Sequence, residues 1–196
     1  MGSLGKRTWD SDSQSGLIAA YALTNADAVA RLFLPLIGRR DGSRITWAEY
    51  LDRHGELREL DGYSEWRDIS EISGTGSSGD SEFYPAPWSA DLSTVYIATS
   101  VLNEFCGDGS RWNLVPEPVF GYDREIYTGC RVVELWTTRS FPGRVWNDGC
   151  GVALASPAYA DSIIVSGPAL LIEMMRSRGL EIYRVARSHR LPSMIL

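Results

Sequence analysis

A tight turn between two apolar segments places the strongest restriction on the fold. Arg144-Val145-Trp146 precedes Asn147-Asp148-Gly149, and residues 151–155 follow it. Asn, Asp and Gly tolerate positive φ, so this triplet predicts a turn and residues 144–155 predict a β-hairpin.

A strand–helix–strand pattern closes the sequence. Ser162-Ile163-Ile164-Val165 predicts a strand, and Gly167-Pro168 opens a segment with apolar residues at helical spacing. Gly179 follows basic residues and predicts the end of that helix. Alternating apolar residues over 180–186 then predict a last strand.

The N-terminal part of the sequence predicts helices. Val29, Leu32, Phe33 and Leu36 recur at helical spacing after Asn25. A second helix is predicted by the capping-box pattern Thr46-Trp47-Ala48-Glu49, in which side chains satisfy the first backbone N–H groups.

These patterns together predict an α+β fold. Residues 1–72 form the expected helical region, residues 73–81 a Gly/Ser-rich loop or linker, and residues 82–196 an α+β domain. That domain is expected to be a mostly antiparallel sheet closed by the strand–helix–strand unit. Two further strands are predicted at Val95–Ala98 and Cys130–Thr138, which are rich in β-branched and aromatic residues.

Composition excludes several classes of protein. A formal net charge of −6 over 196 residues argues against nonspecific binding to nucleic acid or anionic membranes, which depends on clustered Lys and Arg. The apolar stretch 17–37 is interrupted by polar and charged residues, so no membrane span is expected. The odd count of 3 cysteines favours free thiols in a reducing compartment, and we therefore predict a cytoplasmic protein.

Four stretches between residues 82 and 190 share a pattern with a known family. They are Glu82-Phe83-Tyr84-Pro85-Ala86-Pro87-Trp88, Gly121-Tyr122-Asp123, the hairpin segment 143–153, and the strand–helix–strand unit from Ser162 to Ile182. In this order they resemble the C-terminal domain of large, mostly uncharacterised bacterial ATP-binding proteins found among phage-defence genes. The family often has Trp in its last strand, where this chain has Tyr183 or Arg184. The resemblance implies a non-catalytic accessory or sensing domain.

Aromatic residues in predicted loops support a protein-binding function. The chain has 7 Trp, and we expect Trp88, Trp112 and Tyr84 to anchor a partner protein. Trp and Tyr are favoured at interfaces because they bury a large area while losing few rotamers. The leading prediction is therefore a non-catalytic interaction module: a defence-associated accessory or sensor, or a regulator or inhibitor. The alternative is that these rings cover the ends of the sheet.

A cysteine-dependent hydrolase is the first alternative function. Cys150 lies between two glycines after the predicted turn, where its sulfur would be accessible. A thiol nucleophile needs a base, which His189 or His54 would supply, with Asp161 or Asp148 orienting the imidazole. Otherwise the cysteine packs as a small apolar residue.

A nucleotide or phosphate binder is the second alternative. Arg184, Arg187 and Arg190 form a basic C-terminal cluster in an acidic chain, and guanidinium groups suit phosphate. Such clusters are also common at solvated strand ends. The spacing of the carboxylates, cysteines and histidines predicts neither a metal site nor a cofactor.

Overall fold

The computed structural model describes residues 17–56, 59–66, 68–69, 82–85, 92–115, 126–136, 143–156 and 161–191. The predicted loop 73–81 lies outside the described residues, as does Trp88.

The strands are short and occur throughout the described chain. They are β1 (Ala28–Phe33), β2 (Leu36–Gly38), β3 (Arg44–Ile45), β4 (Phe83–Pro85), β5 (Trp112–Val115), β6 (Tyr127–Cys130), β7 (Arg144–Asn147), β8 (Val152–Ala155), β9 (Ser162–Gly167) and β10 (Ile182–Arg184). The α-helices are α1 (Trp47–Arg53), α2 (Leu92–Cys106) and α3 (Ala169–Ser177), and 3₁₀ helices span Ile18–Tyr21 and Val132–Trp136.

The strands form two antiparallel sheets. The larger has seven strands in the order β10-β1-β9-β8-β7-β5-β6, and the smaller has three in the order β3-β2-β4. The α+β prediction is therefore confirmed. The predicted strand–helix–strand unit is β9-α3-β10, and β1 lies between its two strands. The predicted regions 1–72 and 82–196 thus share one sheet.

The predicted hairpin is β7 and β8. Arg144 pairs with Ala155, and Asn147 pairs with Val152. The Asn147 side-chain oxygen accepts hydrogen bonds from the backbone N–H of Gly149 at 2.8 Å and of Cys150 at 3.1 Å, which fixes the turn. This is the local chemistry that makes Asn a turn residue.

The main core lies between one face of the large sheet and helices α2 and α3. It contains Leu32 from β1, Val165 from β9 and Leu154 from β8, all fully buried. Val101 and Leu102 from α2 and Leu171, Ile172 and Met175 from α3 complete it. Two smaller clusters lie elsewhere: one joins α1 to the small sheet, and the other lies under the first 3₁₀ helix.

The prediction of a helix from residue 25 to residue 36 is wrong. These residues form β1 and β2, and all six residues of β1 are buried. A strand that is covered on both faces has no polar face, so its apolar positions do not show the alternation expected of a half-buried strand. Helical spacing then arises by coincidence.

Two further strand predictions are wrong over most of their described residues, although Cys130 does end β6 and residues 137–138 lie outside the described chain. Val95–Ala98 lies within helix α2, and residues 132–136 form a 3₁₀ helix directly after β6. In both segments tertiary packing overrides β-propensity: Ala98 is fully buried in the main core, and Val132 and Leu135 are buried beside it.

Helix α1 begins where the capping-box pattern predicts. The backbone N–H of Glu49 donates to Thr46 Oγ1 at 3.1 Å, and the Thr46 N–H donates to Glu49 Oε2 at 2.7 Å. The helix ends at Arg53, and Gly55 follows with φ +70°.

We expect Thr46→Ala to lower the free energy of unfolding by about 1 kcal/mol, because one N–H of the first turn loses its acceptor. Thr46→Ser keeps the hydroxyl and is the control. Urea denaturation of both variants measures the difference, and equal losses for Ala and Ser would show that the cap contributes nothing.

Candidate functional site

The cysteine predicted as a nucleophile is half of a disulfide. Cys150, in the β7–β8 turn, is bonded to Cys106 at the end of α2, with Cα atoms 5.5 Å apart, and Cys130 is free. A sulfur in a disulfide has no thiolate form and is not a nucleophile. The expectation of free thiols is therefore wrong for this pair, and a disulfide does not agree with the predicted reducing compartment.

The predicted base His189 and the predicted orienting carboxylate Asp161 do not lie beside Cys150. Cys150 packs against the main core. Asp161 is bonded to Arg31, whose side chain leaves β1 on the opposite face from the main-core residues of that strand. The His189 ring lies on that opposite face too, with its edge against Tyr63 at 4.9 Å between ring centroids. The sheet therefore separates the sulfur from the imidazole.

Arg31 forms a buried polar cluster with the ends of neighbouring segments. Its side chain is fully buried, and it donates to Asp161 Oδ1 at 3.0 Å and Ser162 Oγ at 3.1 Å. It also donates to the backbone carbonyls of Gly62 at 3.1 Å and Ser64 at 2.9 Å. The cluster ties residues 62–64 to the sheet, which is a structural role.

His189 lies beside this cluster. Its Nε2 is buried and has no hydrogen-bond partner among the described residues. Burial, and then the positive charge of Arg31, lower the pKa of His189, while Glu65 and Asp61 act in the opposite direction. The imidazole is thus favoured in its neutral form.

The three C-terminal arginines have separate partners. Arg184 forms an exposed ion pair with Glu173 at 3.3 Å, and Arg187 donates to the Ala26 carbonyl at 3.0 Å. Arg190 pairs through its backbone with residue 17 and is exposed. The guanidiniums of Arg184 and Arg187 thus bind separate partners in different parts of the chain, as expected of a solvated strand end.

The predicted aromatic anchors differ in their surroundings. Trp112 is fully buried in the main core, so it does not form a contact surface for a partner. Tyr84 is half-buried in β4, and the Arg39 guanidinium lies over its ring at 5.1 Å. The alternative prediction, that loop aromatics fold onto the sheet, describes Trp112.

Exposed apolar side chains instead occur at the edge of the large sheet formed by β6. Ile126, Tyr127 and Val133 are 59%, 49% and 56% exposed. No described strand pairs with the outer side of β6. We refer to Ile126, β6 and Val133 as the β6 edge. An edge strand presents unpaired backbone donors and acceptors, so this surface combines hydrogen-bonding capacity with apolar area.

The β6 edge is shaped by a β-bulge. Trp112 pairs with Cys130 and Leu114 with Tyr127, so β6 has one residue more than β5 in between. Gly129, within this stretch, adopts φ +79°, the left-handed conformation that the glycine of a G1 bulge takes. The bulge bends the strand and limits the length of ladder that a partner can extend.

Positive charge lies beside the bulge. Arg111 donates to the Gly129 carbonyl at 3.3 Å, and Arg131 is bonded to Glu134 at 2.9 Å. Among the residues that the structure describes there, the Glu134 carboxylate is under the influence of two guanidiniums, those of Arg131 and Arg111. This local excess of positive charge stands out in a chain with a net charge of −6.

A cavity of about 240 Å³ lies at the other end of the sheet order, near β1 and β10. Its lining includes apolar side chains from the end of β1, β3 and α2, polar side chains at the start of α1 and α2, and the segment before β10. The lining residues are Phe33, Pro35, Arg44, Ile45, Thr46, Glu49, Ser93, Thr94, Ile97, Gly179, Leu180 and Glu181.

Glu181 joins this cavity to helix α1. Its two carboxylate oxygens accept hydrogen bonds from the backbone N–H groups of Trp47 and Ala48, each at 2.8 Å. Burial raises the pKa of Glu181 above its ordinary value, and these hydrogen bonds oppose the shift. The Glu49 carboxylate raises that pKa further. The sequence did not predict that Glu181 contacts the start of α1, because Glu181 and α1 are far apart along the chain.

The protein has an α+β fold. Its described residues do not bring Cys150, His189 and Asp161 together as a catalytic triad. No family model matches the chain, and no curated protein or solved structure matches it either. Within the described residues, no three His, Cys, Asp or Glu side chains are grouped so that they could hold a metal ion. No described helix has the length and apolar character needed to cross a bilayer.

Proposed function

We propose that the chain is a non-catalytic protein-binding module that receives an extended segment of a partner protein at the β6 edge. The observation that carries this proposal is the exposure of Ile126, Tyr127 and Val133 beside a strand whose outer side pairs with no strand of the described chain. Exposed apolar groups next to an open sheet edge are a recurring basis for peptide recognition.

Backbone pairing supplies the general part of the affinity. A partner segment that aligns with β6 satisfies the N–H and C=O groups on its outer side. Alternate side chains of the segment then contact the two faces of the sheet, where Tyr127 offers a large and rigid contact area. The bulge at Gly129 keeps the paired segment short, which favours a reversible complex over extended strand pairing.

Charge complementarity determines which partner segments are selected. Arg111 and Arg131 outnumber Glu134 at the end of β6. A partner segment with a carboxylate at the matching position is therefore favoured, and one with a cation there is disfavoured. The proposed partner sequence is a short extended segment with apolar residues followed by Asp or Glu.

The role of an accessory or regulatory protein in defence is part of the same proposal. Its only support is the resemblance of residues 82–190 to domains of phage-defence proteins. The disulfide between Cys106 and Cys150 supports an oxidising compartment rather than the cytoplasm.

Peptide selection tests this function. We expect random dodecapeptides displayed on phage, selected on the intact protein, to yield apolar segments that end in an acidic residue. Binding of a synthetic selected peptide is expected to weaken about thirtyfold or more in Tyr127→Ala, because truncation of an aromatic hot-spot residue costs about 2 kcal/mol or more. Isothermal titration calorimetry measures the change.

Tyr96→Ala is the matched control, since Tyr96 is 77% exposed on α2 and is no part of the β6 edge. Its binding is expected to equal that of the wild type. A selection that yields no binders, or binders equally affected by both variants, would contradict the proposal. So would concentration-dependent dimerisation abolished by Tyr127→Ala, because a second copy would then occupy the edge.

A further inference from the structure

A short segment of the chain is held against strands β1 and β10 by its backbone. The Arg31 guanidinium of β1 donates to the carbonyls of Gly62 and Ser64, at 3.1 and 2.9 Å. Gly62 also lies so close to the backbone carbonyl of Arg184 in β10 that a Cβ would not fit there. We refer to residues 61–66 as the 61–66 segment. It lies at the β10 end of the sheet order, opposite the β6 edge, and the proposed protein-binding function does not use it.

Side chains hold the same segment through Tyr63 and His189. The Tyr63 hydroxyl accepts a hydrogen bond from the Ala186 N–H at 3.2 Å. The rings of Tyr63 and His189 meet nearly at right angles, with centroids 4.9 Å apart. The His189 backbone is itself fixed, because its N–H donates to the Ala186 carbonyl at 3.0 Å and its carbonyl accepts from the Ile18 N–H at 2.9 Å. The imidazole therefore has a defined position against the 61–66 segment.

One nitrogen of this imidazole is buried without a partner. His189 Nε2 is shielded from solvent and has no hydrogen-bond partner among the described residues. A neutral imidazole can leave one ring nitrogen without a proton, whereas a protonated imidazole has an N–H on both nitrogens. A charged donor that is buried without an acceptor costs more free energy than an unpaired neutral nitrogen. The arrangement around His189 therefore suits the neutral ring.

We propose that His189 is a pH-sensitive latch: in its neutral form it holds the 61–66 segment against β1 and β10, and in its protonated form it releases the segment. The protonated Nε2–H needs an acceptor, and the described residues around it offer none. Movement of the segment away from the sheet admits water, which supplies that acceptor. Histidine is the side chain suited to such a switch, because its charge changes between about pH 5 and 8.

The charges around His189 come from β1 and from the segment itself. Arg31 of β1 is fully buried and is paired with Asp161. Asp61 and Glu65 belong to the 61–66 segment. Burial first and then Arg31 lower the pKa of His189, while Glu65 and Asp61 act in the opposite direction. Because folding lowers this pKa, the closed segment has its full stability above the ordinary histidine pKa of about 6.5 and loses stability as the pH falls below that value.

Hydrogen exchange of two reporter amides tests the latch. The Ala186 N–H is bonded to the Tyr63 hydroxyl, and the Ser64 N–H donates to the Asp61 carbonyl at 3.3 Å within the segment. We expect their protection, measured by NMR relative to the unstructured rate at the same pH, to fall about fivefold or more from about pH 7.5 to about pH 5.5. One buried donor without an acceptor is enough to cause a change of that size. Amides of helix α3 should keep their protection.

The chain has 2 histidines, so each can be replaced in turn. His189→Phe keeps a ring beside Tyr63 without a titratable nitrogen, and we expect its reporter amides to be equally protected at both pH values. His189→Gln, which is also uncharged at both, should lose the pH dependence as well and serves if the Phe variant folds poorly. His54→Gln is the matched control: His54 Nδ1 lies 2.8 Å from the Tyr50 carbonyl oxygen in α1, and this variant should keep the pH dependence of the wild type.

Equal protection of the reporter amides at both pH values in the wild type would overturn the latch. So would a pH dependence that persists in His189→Phe, because another group, such as Glu181 with its pKa raised by burial, would then be responsible. A loss of protection that includes α3 would show general unfolding in acid and would contradict a local release. Peptide binding at the β6 edge is a separate measurement, so failure of this inference is distinct from failure of the protein-binding proposal.

Discussion

Replacing Asp161 by alanine is expected to lower the free energy of unfolding by about 3–5 kcal/mol, because the Arg31 guanidinium would be left buried without its counter-charge. The pair is 3.0 Å apart, and the two side chains are 0% and 4% exposed. Solvent cannot replace the lost carboxylate without opening the sheet face. Urea denaturation followed by circular dichroism measures the change.

A double variant separates the charge from the packing. Arg31→Met with Asp161→Leu removes both charges, and replacing a buried pair by apolar residues is often neutral or stabilising. We expect this double variant to be more stable than Asp161→Ala. A loss of less than about 1 kcal/mol in Asp161→Ala would show that the pair is solvated and would contradict its assignment as a buried structural cluster.

Removing the disulfide is expected to have the second largest effect. Cys106 and Cys150 are separated by 44 residues, and closing a loop of that length in the unfolded chain corresponds to roughly 4 kcal/mol in the chain-entropy model. We expect the double variant Cys106→Ser with Cys150→Ser to lose about 2–4 kcal/mol of stability, since measured effects often fall below the model. Urea denaturation of the wild type and the double variant, with no oxidant or reductant in the buffer, measures the difference in the free energy of unfolding.

Cys130→Ser is the control for this experiment because Cys130 is outside the disulfide. It is expected to cost clearly less than the double variant. Titration of accessible thiols in the denatured wild-type protein should find one thiol before reduction and three after it. Three thiols before reduction, or equal stability of the double variant and the wild type, would contradict the disulfide.

Local chemistry made some elements predictable. The β7–β8 hairpin follows from Asn147 and the glycines of its turn, and α1 follows from the reciprocal bonds of Thr46 and Glu49. Helix α3 ends before Gly179, which adopts φ +85° as an αL residue. In each case the residues that determine the structure lie within a few positions of one another.

Elements that depend on distant packing were not predictable. β1 pairs with β9 and β10 at its two edges, and it is buried on both faces because separate groups of residues cover them. The one charged residue of β1, Arg31, is buried because it forms an ion pair with Asp161, which is distant along the sequence. A single sequence gives no local sign of such a partner, so the segment resembled an amphipathic helix.

The candidate surface was missed for the same reason. Trp112 was expected outside because it was placed in a predicted loop, yet it lies on β5, where its side chain is part of the main core. Tyr127 is outside because β6 is the last strand of the sheet, and strand order depends on long-range pairing. Gly129 lies just before the predicted strand Cys130–Thr138 and was therefore not recognised as a bulge residue, although glycine inside a strand often marks a bulge.

Amide hydrogen exchange with and without a selected peptide tests the central proposal most directly. If a partner segment pairs with β6, the amides of Tyr127, Thr128 and Gly129 that face the open side should exchange more slowly in the complex. Amides of the exposed face of α2 around Tyr96 should exchange at unchanged rates. Protection at α2 or elsewhere, with unchanged exchange across β6, would contradict binding at the β6 edge.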